Sequence, residues 1–527
     1  MKYLITFALS SLTLLCFGQN SVPQIEITNI DRDEIMETLT INYSLNDADA
    51  DLCEVWLKMS LDGGIYFETV SQDKITGDIG SDIIANETHS MTWDYSELTE
   101  GIESVTIRIF ASDNQVVDIG KMVSQVNEAE LLSTLESIIG ERHFETAPER
   151  LAEVRTLIKD AFSDANLQTE SHDFVFSNTN MQNILGRKPG TKDEDITYII
   201  DGHFDGVLGS PAADDNGSAV AGMLVAMRIL SQYSFEHSIR FIGFDAEELG
   251  LIGSQNYVLN GIKPFENVQG VFNFEMIGFY SDEPNSQQTI PGFEILFPEA
   301  IQEMEDDDYR GNFIFGIGNT ASNPLLSSYV SASKKYVPEL RLITLSLPGA
   351  GEIAPDLRRS DHASFWDGGI PALFIVDGGD FRNPNYHAPG DDISTLNFEF
   401  MKNVVKATLA TVAELAIPIN ATFDEADLSA VLSINDHDHQ FPTEIFIFSN
   451  PSSNGLLSLR VEESKIGFRA RAEVYELTGK RVYRDIINFT AGTNNSEIDL
   501  HNLATGSYIL VLYSENATKS LGFVIAD

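Results

Sequence analysis

The sequence predicts an α/β protein: a mostly parallel sheet with helices on both faces, flanked by an N-terminal β-sandwich and a C-terminal all-β domain. Three observations predict this. Between about residues 127 and 415, helical and strand patterns alternate in a βαβ rhythm. On either side the pattern changes to short runs of alternating apolar and polar residues separated by turn signals. The chain has 527 residues, enough for two to four domains.

The first element is an expected export signal over residues 1–18. Lys2 supplies the positive start, Tyr3 to Phe17 form a mostly apolar run, and Gly18 suits cleavage before Gln19. That run is too short to span a bilayer, and no later apolar stretch is long enough. Leu15 stands where a lipid-attachment signal wants a small residue, which speaks against Cys16 as an anchor. Once the signal leaves, Cys53 is the sole cysteine, so no internal disulfide forms and Cys53 is expected to be a small buried hydrophobe.

Residues 20–125 are predicted to be the β-sandwich. Gln24–Ile30, Glu37–Leu45, Glu54–Ser60 and Ser104–Ala111 alternate in the strand period, with Asp62-Gly63-Gly64 as a turn. The pattern resembles fibronectin- or immunoglobulin-like modules. It carries no cluster of histidines and carboxylates, so a spacer or binding role is expected.

Residues 127–415 hold the α/β unit. Glu128–Gly140, Glu149–Phe162 and Ser218–Tyr233 read as helices. Ile196–Ile200, Ser238–Phe244, Val268–Phe274 and Pro371–Val376 read as strands. In such sheets the site lies beyond the carboxyl ends of the strands. Residues 416–440 have linker character. Within them Asn435-Asp436-His437-Asp438-His439 is expected to be a solvated loop, since no strand or helix fixes the two histidines. Residues 441–527 return to strands: Glu444–Ser449, Ala472–Leu477, Ser496–Leu500 and Tyr508–Tyr513.

The formal net charge is -47, from 80 acidic and 33 basic residues. Phosphate binding needs clustered Lys and Arg, so nucleic acid is not an expected partner, nor is an anionic membrane surface. The acidic excess is spread along the chain, as a solubility device would be.

Chemistry is concentrated after the strands of the α/β unit. The run Ile196–Ile200 leads into Asp201-Gly202-His203-Phe204-Asp205, with Asp205 placed to orient the His203 ring. Ala212-Ala213-Asp214-Asp215-Asn216 precedes a helix, where acidic residues also serve as caps. Phe244-Asp245-Ala246-Glu247-Glu248 sets two adjacent carboxylates after a buried strand, an arrangement that repels unless one binds metal and the other handles protons. Glu275 follows the apolar run Val271–Phe274, and His387 lies in the turn-rich loop Asn383–Asp392.

With these residues together, the segment 127–415 resembles the di-zinc aminopeptidases related to bacterial leucyl aminopeptidase, a clan shared with glutamate carboxypeptidases and glutaminyl cyclases. The resemblance implies the zinc exopeptidase fold and two zinc ions. It implies that His203 and Glu275 complete one zinc site, that Glu248 and His387 hold the other, and that Asp215 bridges them. Glu247 is then the general base, and Asp205 the partner of His203. A cis peptide between Asp215 and Asn216 is implied as well. Glu275 departs from the aspartate common in the family. Arg359-Ser360-Asp361-His362 resembles a further family segment, which implies that His362 polarises the substrate carbonyl or stabilises the oxyanion; a purely structural hydrogen-bonding role is the alternative.

The implied activity is removal of N-terminal residues from peptides with a free amino group, since a negative site suits a positive amine. The rival readings are a glutamate-type carboxypeptidase, for which Arg358 and Arg359 would bind the terminal carboxylate, and a single-zinc glutaminyl cyclase. In the last segment, Asn450-Pro451, Leu477-Thr478-Gly479-Lys480 and Leu503–Tyr508 resemble the sorting domain of the type nine secretion system, although the chain lacks that family's basic ending. That resemblance implies a protein secreted by, or displayed on the surface of, a Gram-negative bacterium, with the type nine machinery as a partner.

Overall fold

The structure is a computed structural model. It describes residues 20–96, 98, 104–429, 444–448, 450, 452, 455–465, 467–514 and 517–526. The expected signal and the Asn435–His439 cluster lie outside the described residues.

The central unit is an eight-stranded sheet. Its order is Leu342–Leu347, Ile314–Asn319, Ala372–Val376, Asn267–Glu275, Ile196–His203, Ser238–Phe244, Thr179–Lys188 and Gln168–Phe176. The middle four strands, from Ala372–Val376 to Ser238–Phe244, are mutually parallel. The junctions outside them turn antiparallel: Ile314–Asn319 against Ala372–Val376, and the hairpin Gln168–Phe176/Thr179–Lys188 against Ser238–Phe244. The sheet is therefore mixed with a parallel centre. The difference has a local cause, because Ser177 and Asn178 both take positive φ and close a hairpin that a parallel pair does not allow.

Helices cover both faces, as expected. The period of two in the strands explains how. Ile200 and Phe272 point to one face, where they meet Val220, Leu224 and Val404 from helices Ala219–Leu230 and Phe398–Ala416. Ile199 and Val271 point to the other, among Tyr257, Phe365 and Trp366. Because all four middle strands are buried on both faces, they read as continuous apolar runs and not as alternating ones.

The sandwich consists of two sheets. One runs Gln24–Asp33, Thr38–Asn46, Glu87–Asp94, Ile75–Gly77; the other includes Leu52–Ser60 and Thr106–Ser112. Leu39, Ile41, Val55, Leu57, Ile107 and Ile109 fill the space between them, and Cys53 is buried among them. Residues 421–427, expected to be linker, form the strand Ala421–Asp427, which pairs antiparallel with Thr106–Ser112. The chain leaves the sandwich, builds the α/β unit and returns to complete the sandwich. The strand was not legible because Asp424, Glu425 and Asp427 fill three of its seven positions, giving it linker composition at a sheet edge, even though Phe423 is among its exposed residues.

The sandwich sits against the amino ends of the parallel strands. Trp56 donates its indole N–H to the Thr191 carbonyl at 2.8 Å, and the buried Lys58 pairs with the buried Glu194 at 3.2 Å. Glu194 also pairs with Arg187 at 3.0 Å. The C-terminal unit packs a three-stranded and a four-stranded sheet around Leu457, Leu459, Ala472, Val474 and Leu510. Among the described residues, no helix is long and apolar enough to cross a membrane.

Candidate metal centre

Four middle strands end at one edge, and each end delivers a polar side chain. His203 closes its strand, Glu275 closes the next, Glu247 and Glu248 follow Phe244, and His387 lies in the loop after Val376. The chain turns sharply at these ends, with φ of 60° at Ala246, 48° at Met276 and 54° at His387. Non-glycine residues rarely take this conformation, and it clusters at functional sites. Asp215 comes from the turn Ala213–Ser218 that opens helix Ala219–Leu230, and the Asp215–Asn216 peptide is cis, as the resemblance implies.

All five expected metal-binding residues converge. His203 Nε2 lies 3.2 Å from Glu275 Oε2 and 3.5 Å from Asp215 Oδ1. His387 Nε2 lies 3.0 Å from Asp215 Oδ2 and 3.2 Å from Glu248 Oε2. Asp215 thus turns one oxygen to each histidine–glutamate pair. Glu247 sits between, with Oε2 3.7 Å from His203 Nε2. Asp205 stands behind His203, 3.3 Å from Nδ1, and accepts the backbone N–H groups of Glu247 and Glu248 at 3.1 and 3.2 Å.

The supports are as specific as the ligands. Asn216 donates to Glu275 Oε2 at 3.2 Å and to the Phe274 carbonyl at 3.0 Å. Ser360 donates to the same Glu275 oxygen at 2.8 Å. Asp391 accepts the N–H groups of Asp214 and Asp215 at 2.9 and 3.1 Å. The Glu247 loop folds back so closely on itself that a Cβ on Gly253 would stand 2.1 Å from the Asp245 carbonyl oxygen, which demands glycine there.

Electrostatics test whether a metal fits. Asp205, Asp215, Glu247, Glu248 and Glu275 are all nearly buried, and among the described residues the cationic groups within 4 Å of them are the imidazoles of His203 and His387. Burial pushes Glu248 up to about 7, helped by Asp215 and opposed by His387. Burial, then Glu275 and Glu248, push Glu247 well above the carboxylate range against the opposing pull of His203. Burial acts on Asp215 too, but hydrogen bonds and charge from His203 and His387 more than reverse it and hold it below that range. His387 rises to about 10 because bonds to Asp215 and Glu248 outweigh its burial. Both His203 ring nitrogens and Glu248 Oε1 are buried without a hydrogen-bond partner. Buried carboxylates this close need cations, and imidazole plus carboxylate is a zinc donor set. The residues fit the two-metal reading.

His362 does not join the site. It is fully buried, with Nε2 3.0 Å from the Leu357 carbonyl and Nδ1 3.1 Å from the Asn273 side-chain oxygen. Its ring stacks on Phe374 at 4.2 Å and meets Trp366 edge-on. Burial drives its pKa down to about 3. These surroundings match the structural hydrogen-bonding alternative for His362, since both ring nitrogens face protein oxygens and the ring is enclosed. Tyr386 is half-buried beside the His387–Glu248 pair. It stacks on His387 at 3.7 Å, and its oxygen accepts a hydrogen bond from Arg359 at 2.9 Å. Its place beside a ligand in the sequence was the one available signal.

Beside Glu275 and Tyr386 opens a pocket whose walls are Ile290, Phe293, Phe315, Ile317, Leu345 and Phe374. The two arginines expected to meet a terminal carboxylate are already paired. Arg358 holds Asp367 through both carboxylate oxygens at 2.7 and 2.8 Å, and Arg359 holds Asp380 at 3.1 and 3.2 Å.

Residues 183–412 match the profile of Peptidase family M28, and residues 446–526 match the secretion system C-terminal sorting domain. Among curated relatives, the uncharacterized protein YfbL of Escherichia coli is 28% identical over 48% of this chain and 76% of its own length. Aminopeptidase YwaD of Bacillus subtilis is 29% identical over 46% of each chain. The chain therefore spans less than half of YwaD and three quarters of YfbL. Among solved structures, the LapA aminopeptidase of Legionella pneumophila is 19% identical, with a TM-score of 0.44 over 57% of this chain and 75% of LapA.

Proposed function

From the peptidase family M28 domain of residues 183–412 and the sorting domain of residues 446–526, we infer that this protein is an exported aminopeptidase working with two zinc ions. The observation that carries the reading is Asp215, whose two oxygens serve two separate histidine–glutamate pairs. His203 and Glu275 would hold one zinc, His387 and Glu248 the other, with Asp215 common to both. When bound, zinc supplies a Lewis acid that polarises a carbonyl and makes water a nucleophile at neutral pH.

The chain's own residues do the rest. Glu247, nearly buried and with a raised affinity for protons, takes the proton of the attacking water and passes it to the leaving amine. Asp205 fixes the Glu247 loop and the His203 ring together. Tyr386, whose oxygen already accepts from Arg359, keeps its own O–H proton to donate to the developing oxyanion. The apolar pocket receives the first side chain of the peptide, and the surrounding carboxylates attract its free amino group.

The neutralised state of Arg358 and Arg359 favours this reading over a carboxypeptidase, which needs a free fixed cation. A leucyl dipeptide and its amino-acetylated form decide the matter. Hydrolysis of the free form alone is expected. Equal turnover of the blocked form contradicts the assignment, as does cyclised product from an N-terminal glutamine peptide.

A further inference from the structure

Arg142 lies on the loop after helix Glu128–Ile138 and is among the largest fully buried side chains in the protein. Among the described residues its hydrogen-bond partners are backbone carbonyls. Its Nε donates to the Phe204 carbonyl at 2.7 Å, and Nη2 to the Ala212 carbonyl at 2.9 Å. Nη1 faces the carbonyls of Gly140 at 3.1 Å and of Ile138 and Pro211 at 3.3 Å.

Those carbonyls mark both ends of one loop. Phe204 follows His203 directly, and Ala212 precedes the turn that presents Asp215. In the two-zinc reading His203 and Asp215 are two of the three residues that face one metal, and no strand pairing joins the stretch between them. Across the turn, Asp391 holds the N–H groups of Asp214 and Asp215, so the bridging carboxylate is clasped from both sides. The guanidinium is also a fixed positive charge that acts on Asp205, Asp215 and Asp391.

We propose that Arg142 is a positioning residue for the metal centre: by closing the 204–212 loop it sets the His203–Asp215 geometry and thereby the affinity of the zinc that they share. This rests on the two-zinc reading above. The guanidinium is the one side-chain group with five N–H donors in a planar fork, and the loop uses them to collect carbonyls from three chain segments. Lysine keeps the charge but offers three donors without the fork.

The test is zinc content and affinity, read by elemental analysis after equilibration with graded chelator, on the full chain and on Arg142→Gln and Arg142→Lys. Supporting partners of metal ligands typically change affinity by about 10–100-fold, so Arg142→Gln is expected to bind one of its zinc ions, the one shared by His203 and Asp215, at least about tenfold less well. It should regain kcat in excess zinc with KM unchanged, and Arg142→Lys should fall between. Should Arg142→Gln fail to give a cooperative melt, the same readout on Arg142→Lys decides. Parental zinc affinity in a folded variant, with only a lowered melting temperature, overturns the proposal and leaves the two-zinc reading intact. An unaltered chain that binds no zinc overturns both.

Discussion

At the scale of residues, the site rests on which carboxylate does what, and neighbouring residues with the same chemistry receive different roles. Glu248 faces His387, while Glu247 faces the gap beside His203. Glu247→Gln should retain both zinc ions and lose about 10²–10⁴-fold in kcat; undiminished kcat with metal bound contradicts the proton-transfer role. His362→Asn should lower unfolding free energy by about 1–3 kcal/mol through lost hydrogen bonds, while kcat of the folded protein is unchanged in steady-state assays. The pH response of the zinc-stripped protein follows from His387 and Glu248. The folded pKa of His387, about 10, exceeds its ordinary 6.5, so its contribution is complete below 6.5 and disappears as pH rises to 10. Glu248 is raised from 4.5 to about 7, so its burial becomes unfavourable over that interval, with the same sign. The melting temperature of the stripped protein should therefore fall from pH 5 to pH 10, and a flat profile contradicts the ion pairing. His203, Glu247, Glu248 and Glu275 each come at or soon after the end of an apolar run that reads as a buried strand, whereas Asp215 precedes a helix and His387 lies in a loop, so those two rested on the family resemblance. The burial of His362 was not legible, since it depends on Phe374 and Trp366, which the fold alone brings to it.

At the scale of elements, the parallel strands were readable from apolar runs, and the helices from their period. The edges were harder. The Ala421–Asp427 strand alternates in burial like any half-exposed strand, but Asp424, Glu425 and Asp427 gave it the composition of a linker. The consequence is a sandwich made from both sides of the α/β unit, with Lys58 and Glu194 buried where the two meet. Replacing Lys58 by Ala leaves Glu194 with Arg187 as its cation, so a loss of about 1–3 kcal/mol is expected in urea unfolding. The kcat should not change, because the strand Ile196–His203 separates this contact from the site by roughly 25 Å at about 3.3 Å per residue. A fall in kcat with stability intact would mean the sandwich communicates with the metal centre.

At the scale of the whole molecule, an acidic chain presents a more acidic centre, and the two are connected by function. Five nearly buried carboxylates at one sheet edge repel one another until cations neutralise them, and the same field draws a protonated amine. In the proposed function, the apolar pocket beside Glu275 would give the side chain of the N-terminal residue a place away from water. The α/β centre was legible from the alternation of helical and strand patterns. The return of the chain into its first domain was not, because a sequence shows neighbours along the chain and not across a sheet. The most direct test is zinc per chain measured together with hydrolysis of a leucyl peptide in free and amino-blocked forms. Two zinc ions, with release of one N-terminal residue from the free form only, is the expected result. A chain that cleaves the blocked peptide equally well, or that works with no metal bound, would contradict the account.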